Sequence, residues 1–241
     1  MFRNKKLVNG IISSIRTAAN HTLDAFSEKR TEHEPSFTDR LLNSIELQID
    51  GKIIGGVKWT AKTLTDRGAN SQESEFGADF LGALSLEFDD YNVKKGFLAQ
   101  AKIVEPSDTF PKKESERLID QCNKMLNHTS DAFVFLYSHQ SGIEIVPAVE
   151  VVSARHCNPH ELTTKAITEF FKDHLECFIG DRSIQVANSE TLKTLAKAYK
   201  TRNALLISGK SPNKGDNEKN KKNPDEPNLI NNNDIRRRFS F

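Results

Sequence analysis

The 241-residue sequence has few cysteines and no long hydrophobic run, and each of these absences excludes a class of protein. Its three cysteines, Cys122, Cys157 and Cys177, are odd in number and far apart. This pattern argues against a disulfide framework and for a reducing compartment, so we expect a cytoplasmic protein. No segment approaches the roughly 18–20 consecutive apolar residues that a membrane span needs, so we expect no membrane association.

The sequence also lacks a large net charge and two common kinds of catalytic site. The formal net charge is +1, so a basic surface for nucleic acid would have to be local. No Ser or Cys lies in a recognisable nucleophile elbow beside a placed His. Cys157 and His160 have a spacing that suits zinc, but no second pair of ligands lies nearby. These patterns therefore predict neither a nucleophilic hydrolase nor a zinc site.

The most informative stretch of the chain runs from Glu75 to Ile103. It contains two apolar runs, residues 80–88 and 97–103, separated by a polar segment at 89–96 that holds Gly, Asp and Asn. Two such runs joined by turn residues predict a β-hairpin. Because side chains alternate along a strand, Gln100 and Lys102 are expected on one face, with Phe97, Ala99 and Ala101 on the other.

Gln100 and Lys102 need polar partners if their strand is buried. Asp79, at the start of the neighbouring strand, is the obvious partner for both. A carboxylate and an amide oxygen a few ångströms apart suit a hard cation such as Mg²⁺. A Lys beside them would orient an attacking water or stabilise charge that develops on a phosphate.

Asp79 followed about twenty residues later by Gln100-Ala101-Lys102 resembles the active site of the PD-(D/E)xK nuclease superfamily. The form is the Gln-x-Lys variant of Mrr-like restriction endonucleases and of anti-phage effector nucleases. The lead-in Glu75-x-Gly77-x-Asp79 also resembles the Mrr-like pattern. The sequence departs from the pattern at Ala78, where the family has Pro, and at Gln100, where an acid is commoner.

This resemblance implies a metal-dependent endonuclease that hydrolyses phosphodiester bonds, most readily in double-stranded DNA, as an effector of prokaryotic anti-phage defence. Asp79 and Gln100 would hold Mg²⁺, for which Mn²⁺ would substitute, and Lys102 would act on the water or the phosphate. A regulatory or sensor protein, or homo-oligomer formation, would control the activity. Two alternatives stay open: an RNA substrate, and a catalytically degenerate subunit that binds nucleic acid or serves assembly.

Several acidic residues are candidates to complete the metal site. In the resembled superfamily an N-terminal helix often supplies a Glu, and here that residue is Glu34, with Glu46 as the second choice. Glu73 and Glu75 precede Asp79, and Glu75 is preferred because an extended segment would place it on the same side as Asp79. Glu87, at the far end of its strand, is expected at the rim.

Gln121 is the last candidate. It lies three residues after Leu118 and four before Met125, so helical periodicity places it on the buried face of a helix over 112–127. A local hydrogen bond at the helix edge would satisfy it equally well. In Mrr-like nucleases a helix after the Gln-x-Lys strand carries a Gln that reaches the active site, and the resemblance assigns this role to Gln121.

The remaining periodicity predicts an α/β fold, a restriction-endonuclease-like mixed β-sheet flanked by helices. We expect an N-terminal helical extension at 1–30, a PD-(D/E)xK nuclease-like domain at 31–208, and a disordered Asn/Lys-rich tail at 209–241. Further elements are expected as follows: helices over 5–28, from Glu34, over 163–178 and from Ser189, and strands over 131–137, 143–148 and 204–208.

Overall fold

A mixed β-sheet forms the centre of the molecule. The computed structural model describes residues 4–65, 76–89, 91–154 and 156–211. Within these residues the strands are β1 Ile53–Ile54, β2 Val57–Thr65, β3 Phe80–Phe88, β4 Tyr91–Ile103, β5 Ala132–Ser138, β6 Gly142–Pro147, β7 Lys165–Ala166 and β8 Asn203–Lys210. They form one eight-stranded sheet in the order β1-β2-β8-β3-β4-β5-β6-β7.

Helices cover both faces of this sheet. They are α1 Lys5–Ser27, α2 Glu34–Ile49, α3 Lys112–Leu126, α4 Ala148–Ala154, α5 Ile167–Leu175 and α6 Ser189–Ala198. One hydrophobic core, which includes Phe97 and Phe170, joins α1, α2 and α5 to the sheet. A second core, which includes Leu98 and Leu118, joins α3, α4 and α6 to the other face. The predicted α/β architecture, a mixed sheet flanked by helices, is therefore confirmed.

The hairpin predicted around the Gln-x-Lys motif is present, but its turn is shorter than predicted. β4 begins at Tyr91, so residues 91–96 belong to the strand and the expected turn over 89–96 is wrong. The two lysines of this stretch, Lys94 and Lys95, have partners in the folded protein, and the ammonium of Lys95 donates to the carbonyl of Ile179. Lys94 lies 3.4 Å from Glu87 on the facing strand.

One predicted helix is also shorter than expected. Residues 163–178 were expected to be helical, but Lys165 and Ala166 pair with β6, and α5 covers only Ile167–Leu175. The backbone then reverses at Cys177, whose φ of 69° lies in the left-handed region. The helix ends there, before the glycine expected to close it, because the next backbone N–H groups bond back to the last turn.

The last strand, β8, lies inside the sheet, between β2 and β3. It pairs antiparallel with β2 and parallel with β3, where Asn203 is opposite Phe80. The sequence predicted a strand over 204–208 but gave no information about its neighbours. The insertion brings Arg202 and Asn203 next to the start of β3, and therefore next to Asp79.

Helix α1 is part of the same core as the rest of the fold. Ile11 and Ile15 are completely buried, and the helix packs against α2 and α5. Residues 5–27, expected as an extension, thus share a hydrophobic core with the region 31–208. A helix that contributes so much buried apolar surface stabilises the whole unit.

The described residues belong to one compact unit that ends at Ser211. The start of the tail predicted at 209–241 is wrong, because Gly209 and Lys210 belong to β8. From position 212 onward the predicted tail lies outside the described residues. Among the residues that the structure describes, none of the helices combines the length and the apolar character that a bilayer span requires.

Candidate functional site

The central predicted site residues lie at one end of the sheet, where β3 begins and β4 ends. β3 and β4 are antiparallel, and the N–H of Asp79 donates to the carbonyl of Ala99 at 2.8 Å. Ala99 and Ala101 belong to the core under α1, α2 and α5. Gln100 and Lys102 therefore face the opposite side, as the alternation predicted.

Gln100 contacts Asp79 directly. Its Nε2 donates a hydrogen bond of 2.6 Å to Asp79 Oδ2, and the N–H of Ala101 donates to the same oxygen at 2.9 Å. Gln100 is only 3% exposed, so the carboxylate satisfies an amide that would otherwise be costly to bury. The pair holds the Asp79 carboxylate in one orientation.

Lys102 is buried and faces carboxylates, not bulk water. It is 6% exposed, and its Nζ lies 3.5 Å from Glu34 Oε2 and 3.8 Å from Glu114 Oε2. Glu34 also accepts a hydrogen bond of 3.2 Å from the N–H of Ile103, through Oε1. The first turn of α2 thus fixes Glu34 against the end of β4, where an acid is also favoured by the helix dipole.

The pKa of Asp79, the partner of Gln100, is influenced by the charges of both Glu34 and Lys102. The pKa of its carboxyl group is raised from 3.8 to about 6, mainly by burial and to a smaller extent by the negative charge of Glu34. The hydrogen bond from Ala101 and the charges of Lys102 and Arg202 act in the opposite direction. Asp79 therefore changes its protonation state close to neutral pH, and its ionised form needs positive charge nearby.

A second group of polar residues adjoins Asp79 and was not predicted. Asn203 donates its N–H to the Asp79 carbonyl at 3.1 Å and its Nδ2 to Asp39 Oδ1 at 2.9 Å. Arg202 Nη2 lies 3.5 Å from Asp39 Oδ2. Nothing in the local sequence marked these residues, because β8 follows the Gln-x-Lys motif by about a hundred residues and meets β3 only in the folded sheet.

Tyr137, at the end of β5, lies beside the same carboxylates. Its hydroxyl is 3.0 Å from Thr38 Oγ1. Burial raises the pKa of Tyr137, and the negative charges of Asp79, Glu34 and Asp39 raise it as well. The phenol therefore stays neutral near these carboxylates.

Gln121 is half-buried on α3, and the segment before Asp79 packs against its backbone. A Cβ atom at Gly77, where φ is 72°, would lie 2.2 Å from the Gln121 carbonyl oxygen. The side-chain Oε1 of Gln121 is buried, and within the described residues it has no hydrogen-bond partner. The predicted role of Gln121 in orienting the site stays a prediction. Its buried side-chain Oε1 needs a hydrogen-bond donor.

The other acidic candidates lie elsewhere. Glu46 accepts the N–H of Thr63 at 2.7 Å, and this bond ties α2 to β2. Glu87 lies 2.8 Å from Lys210 at the far end of β3, consistent with a rim position. Glu73 and Glu75 fall outside the described residues.

A divalent cation fits the chemistry of the donors that the fold brings together. Asp79, Glu34 and the Gln100 amide are all hard-oxygen donors, and Mg²⁺ typically takes one or two carboxylates and completes its shell with water. Among the described residues no three His, Cys, Asp or Glu side chains form a metal-holding group. A cation at this position would therefore depend on the Gln100 amide oxygen and on water, and its charge would favour the ionised form of Asp79.

Comparison of the chain with protein-family models, with curated proteins and with solved structures found no match.

Proposed function

We propose that the protein is a metal-dependent endonuclease that hydrolyses phosphodiester bonds in double-stranded DNA. The observation that supports this most is the position of Lys102, buried beside Glu34 on the same strand face as the Gln100–Asp79 pair. A buried Lys next to carboxylates and a pH-sensitive Asp is a combination typical of catalytic sites. The match to the Gln-x-Lys pattern supports the same function.

Each side chain has a distinct task in this proposal. Asp79, Gln100 and Glu34 would hold Mg²⁺, which when bound polarises a phosphate and lowers the pKa of a coordinated water. The ammonium of Lys102, whose side chain is buried, stabilises the negative charge that builds up on the phosphate oxygens. The N–H of Ala101 and the Gln100 amide keep the Asp79 carboxylate aligned.

The decisive experiment compares plasmid cleavage in Mg²⁺ or Mn²⁺ by the wild type and by Lys102→Ala. The matched control is Lys94→Ala, which removes an ion-paired lysine from the same strand but at its other end. We expect Lys102→Ala to lose about 100-fold or more in rate and Lys94→Ala to cleave normally. Equal cleavage by all three proteins, with circular dichroism showing intact folds, would place the chemistry outside this site.

A second candidate function is a degenerate nuclease fold that binds DNA without cutting it. The amide nitrogen of Gln100, and not its oxygen, faces Asp79, and this orientation favours a pair that is complete without a metal. In that case Mg²⁺ would leave the thermal unfolding midpoint unchanged and DNA would still bind. A midpoint that rises with Mg²⁺ in the wild type but not in Asp79→Asn would support the catalytic function.

On the sequence resemblance alone, we further propose that the nuclease acts as an anti-phage effector. Its activity would then depend on a sensor protein or on self-association. Cleavage assays should accordingly include concentrated protein, because an oligomeric enzyme loses activity on dilution.

A further inference from the structure

A groove of about 430 Å³ lies along the exposed face of α2, next to the candidate site, and is lined by polar residues and by the exposed Leu47. Its lining includes Arg30, Arg40, Asn43, Ser44 and Asp39. None of the residues that line it is aromatic, so the groove offers no platform on which unpaired bases would stack. Guanidinium, amide and hydroxyl groups are instead the side chains that commonly contact phosphate and sugar.

The two arginines of this groove differ in how firmly they are held. Arg40 is half-buried, and its Nε–H donates to Thr31 Oγ1 at 3.0 Å, which fixes the plane of the guanidinium group. Arg30 pairs with Glu28, but both side chains are more than half exposed. Such a surface pair contributes little free energy, so Arg30 can exchange Glu28 for a phosphate.

The groove is continuous with the site through Asp39. Arg202 and Asn203 both contact the Asp39 carboxylate, and the backbone N–H of Asn203 bonds to the carbonyl of Asp79. Their contacts compensate the one acidic side chain in the groove lining. Arg40 then carries the uncompensated positive charge of the groove, and Arg30 adds a second one when it leaves Glu28. This makes the groove locally basic on a chain with a net charge of only +1.

We propose that this groove binds the sugar–phosphate backbone of duplex DNA beside the phosphate that is cleaved. The inference rests on the proposed function, and it adds the surface that positions the substrate. Arg40 would be the fixed phosphate contact and Arg30 the adaptable one, because a pre-oriented guanidinium loses less entropy on binding. Contacts of this kind set the register of the duplex without reading its sequence, so cleavage would show little base preference on this side.

The test measures binding without cleavage. A fluorescently labelled 20-base-pair duplex is titrated with the Lys102→Ala protein in EDTA at several salt concentrations between 50 and 200 mM. Arg40→Gln and Arg30→Gln are added singly and together, and Arg40→Gln retains an N–H donor for Thr31. The matched control is Arg16→Gln, an exposed arginine on α1 that does not line the groove.

We expect the slope of log K against log salt to become shallower by about 0.9 for each groove arginine removed, and by about twice that in the double variant. Arg16→Gln should keep the slope of the parent, which is the Lys102→Ala protein without further changes. If the parent binds and the double variant has the parent slope, the groove is not the binding surface, and the proposed nuclease activity is unaffected. If the parent binds no duplex at all, the groove is overturned as a binding surface, while plasmid cleavage by the wild type in Mg²⁺ tests the proposed function separately. Preferential binding of a single strand, lost in the same variants, would overturn the assignment of a duplex.

Discussion

The amide nitrogen of Gln100 lies 2.6 Å from Oδ2 of Asp79, across the pair of strands β3 and β4. The resembled family usually has an acid at this position, which would place a third carboxylate beside Asp79 and Glu34. The amide instead donates a hydrogen bond and reduces the negative charge of the site. It thus allows the carboxylate of Asp79 to be buried in a single orientation.

This contact predicts that Gln100→Glu makes the fold depend on a cation. Two carboxylates at this distance repel each other in a poorly solvated site, so in EDTA at pH 8 the thermal unfolding midpoint should fall by several degrees. Mg²⁺ should stabilise the variant more than it stabilises the wild type, because three carboxylates attract the cation more strongly. Thermal unfolding with and without Mg²⁺ measures both effects, and equal midpoints in EDTA would argue against the contact.

The raised pKa of Asp79 predicts a pH-dependent stability. Because its pKa in the folded protein, about 6, lies above the ordinary value of 3.8, the folded state holds more protons than the unfolded state between these values. The free energy of unfolding therefore falls as the pH rises through this window, by about 3 kcal/mol at most. Asp79→Asn removes this loss. In EDTA at pH 8 the variant should therefore be more stable than the wild type, and at pH 4 this gain in stability should be much smaller. Denaturant unfolding at the two pH values checks the sign; a constant difference would contradict it.

Two glutamates of α2 are expected to behave in opposite ways. Glu34→Gln removes a charge that faces Lys102, so cleavage should fall about 10-fold or more while the fold persists. Glu46→Gln weakens the acceptor of the Thr63 N–H and should cost about 1 kcal/mol of stability with normal cleavage. Cleavage rates and denaturant unfolding are measured for both variants. Slow cleavage by Glu46→Gln with normal cleavage by Glu34→Gln would assign the site residue to Glu46.

Gln121 offers a test of function against stability. Its buried Oε1 has no partner within the described residues, and an unsatisfied polar group costs about 1–3 kcal/mol. Gln121→Leu should therefore leave the fold equally stable or more stable, yet slow cleavage. Asn123→Leu, an exposed change on the same helix, should alter neither quantity by a measurable amount. Normal cleavage by Gln121→Leu would remove this residue from the site.

The surroundings of Gly77 predict that a larger residue there is destabilising, because the segment before Asp79 packs tightly on α3. Gly77→Ala meets the Gln121 carbonyl at 2.2 Å, whereas Gly51→Ala has the same φ of 72° and meets no atom within 4 Å. Both variants carry the strain of a positive φ, about 1 kcal/mol, and Gly77→Ala should lose about 1–3 kcal/mol more through the clash. Equal losses in chemical denaturation would show that this packing is looser.

The sequence by itself determined the elements whose cause is local. The apolar runs and their alternation predicted β3, β4 and β5, and placed Gln100 and Lys102 on one face because side chains alternate in any strand. The helix expected from Glu34 does begin at that residue, and Pro35 suits its first turn because proline needs no N–H partner there. The lengths of the hairpin turn and of α5 were wrong, because cross-strand pairing outweighed local polarity in both places.

Only the tertiary structure decided which distant residues meet. The insertion of β8 between β2 and β3 brings Arg202, Asn203 and Asp39 to Asp79, and the packing of α1 makes that helix part of the core. The tertiary structure also gave different contacts to Glu34 and Glu46, the first and second choices of the sequence: Glu34 faces Lys102, and Glu46 accepts the N–H of Thr63. Strand order depends on contacts between segments more than a hundred residues apart, and the periodicity of a segment carries no information about its partner.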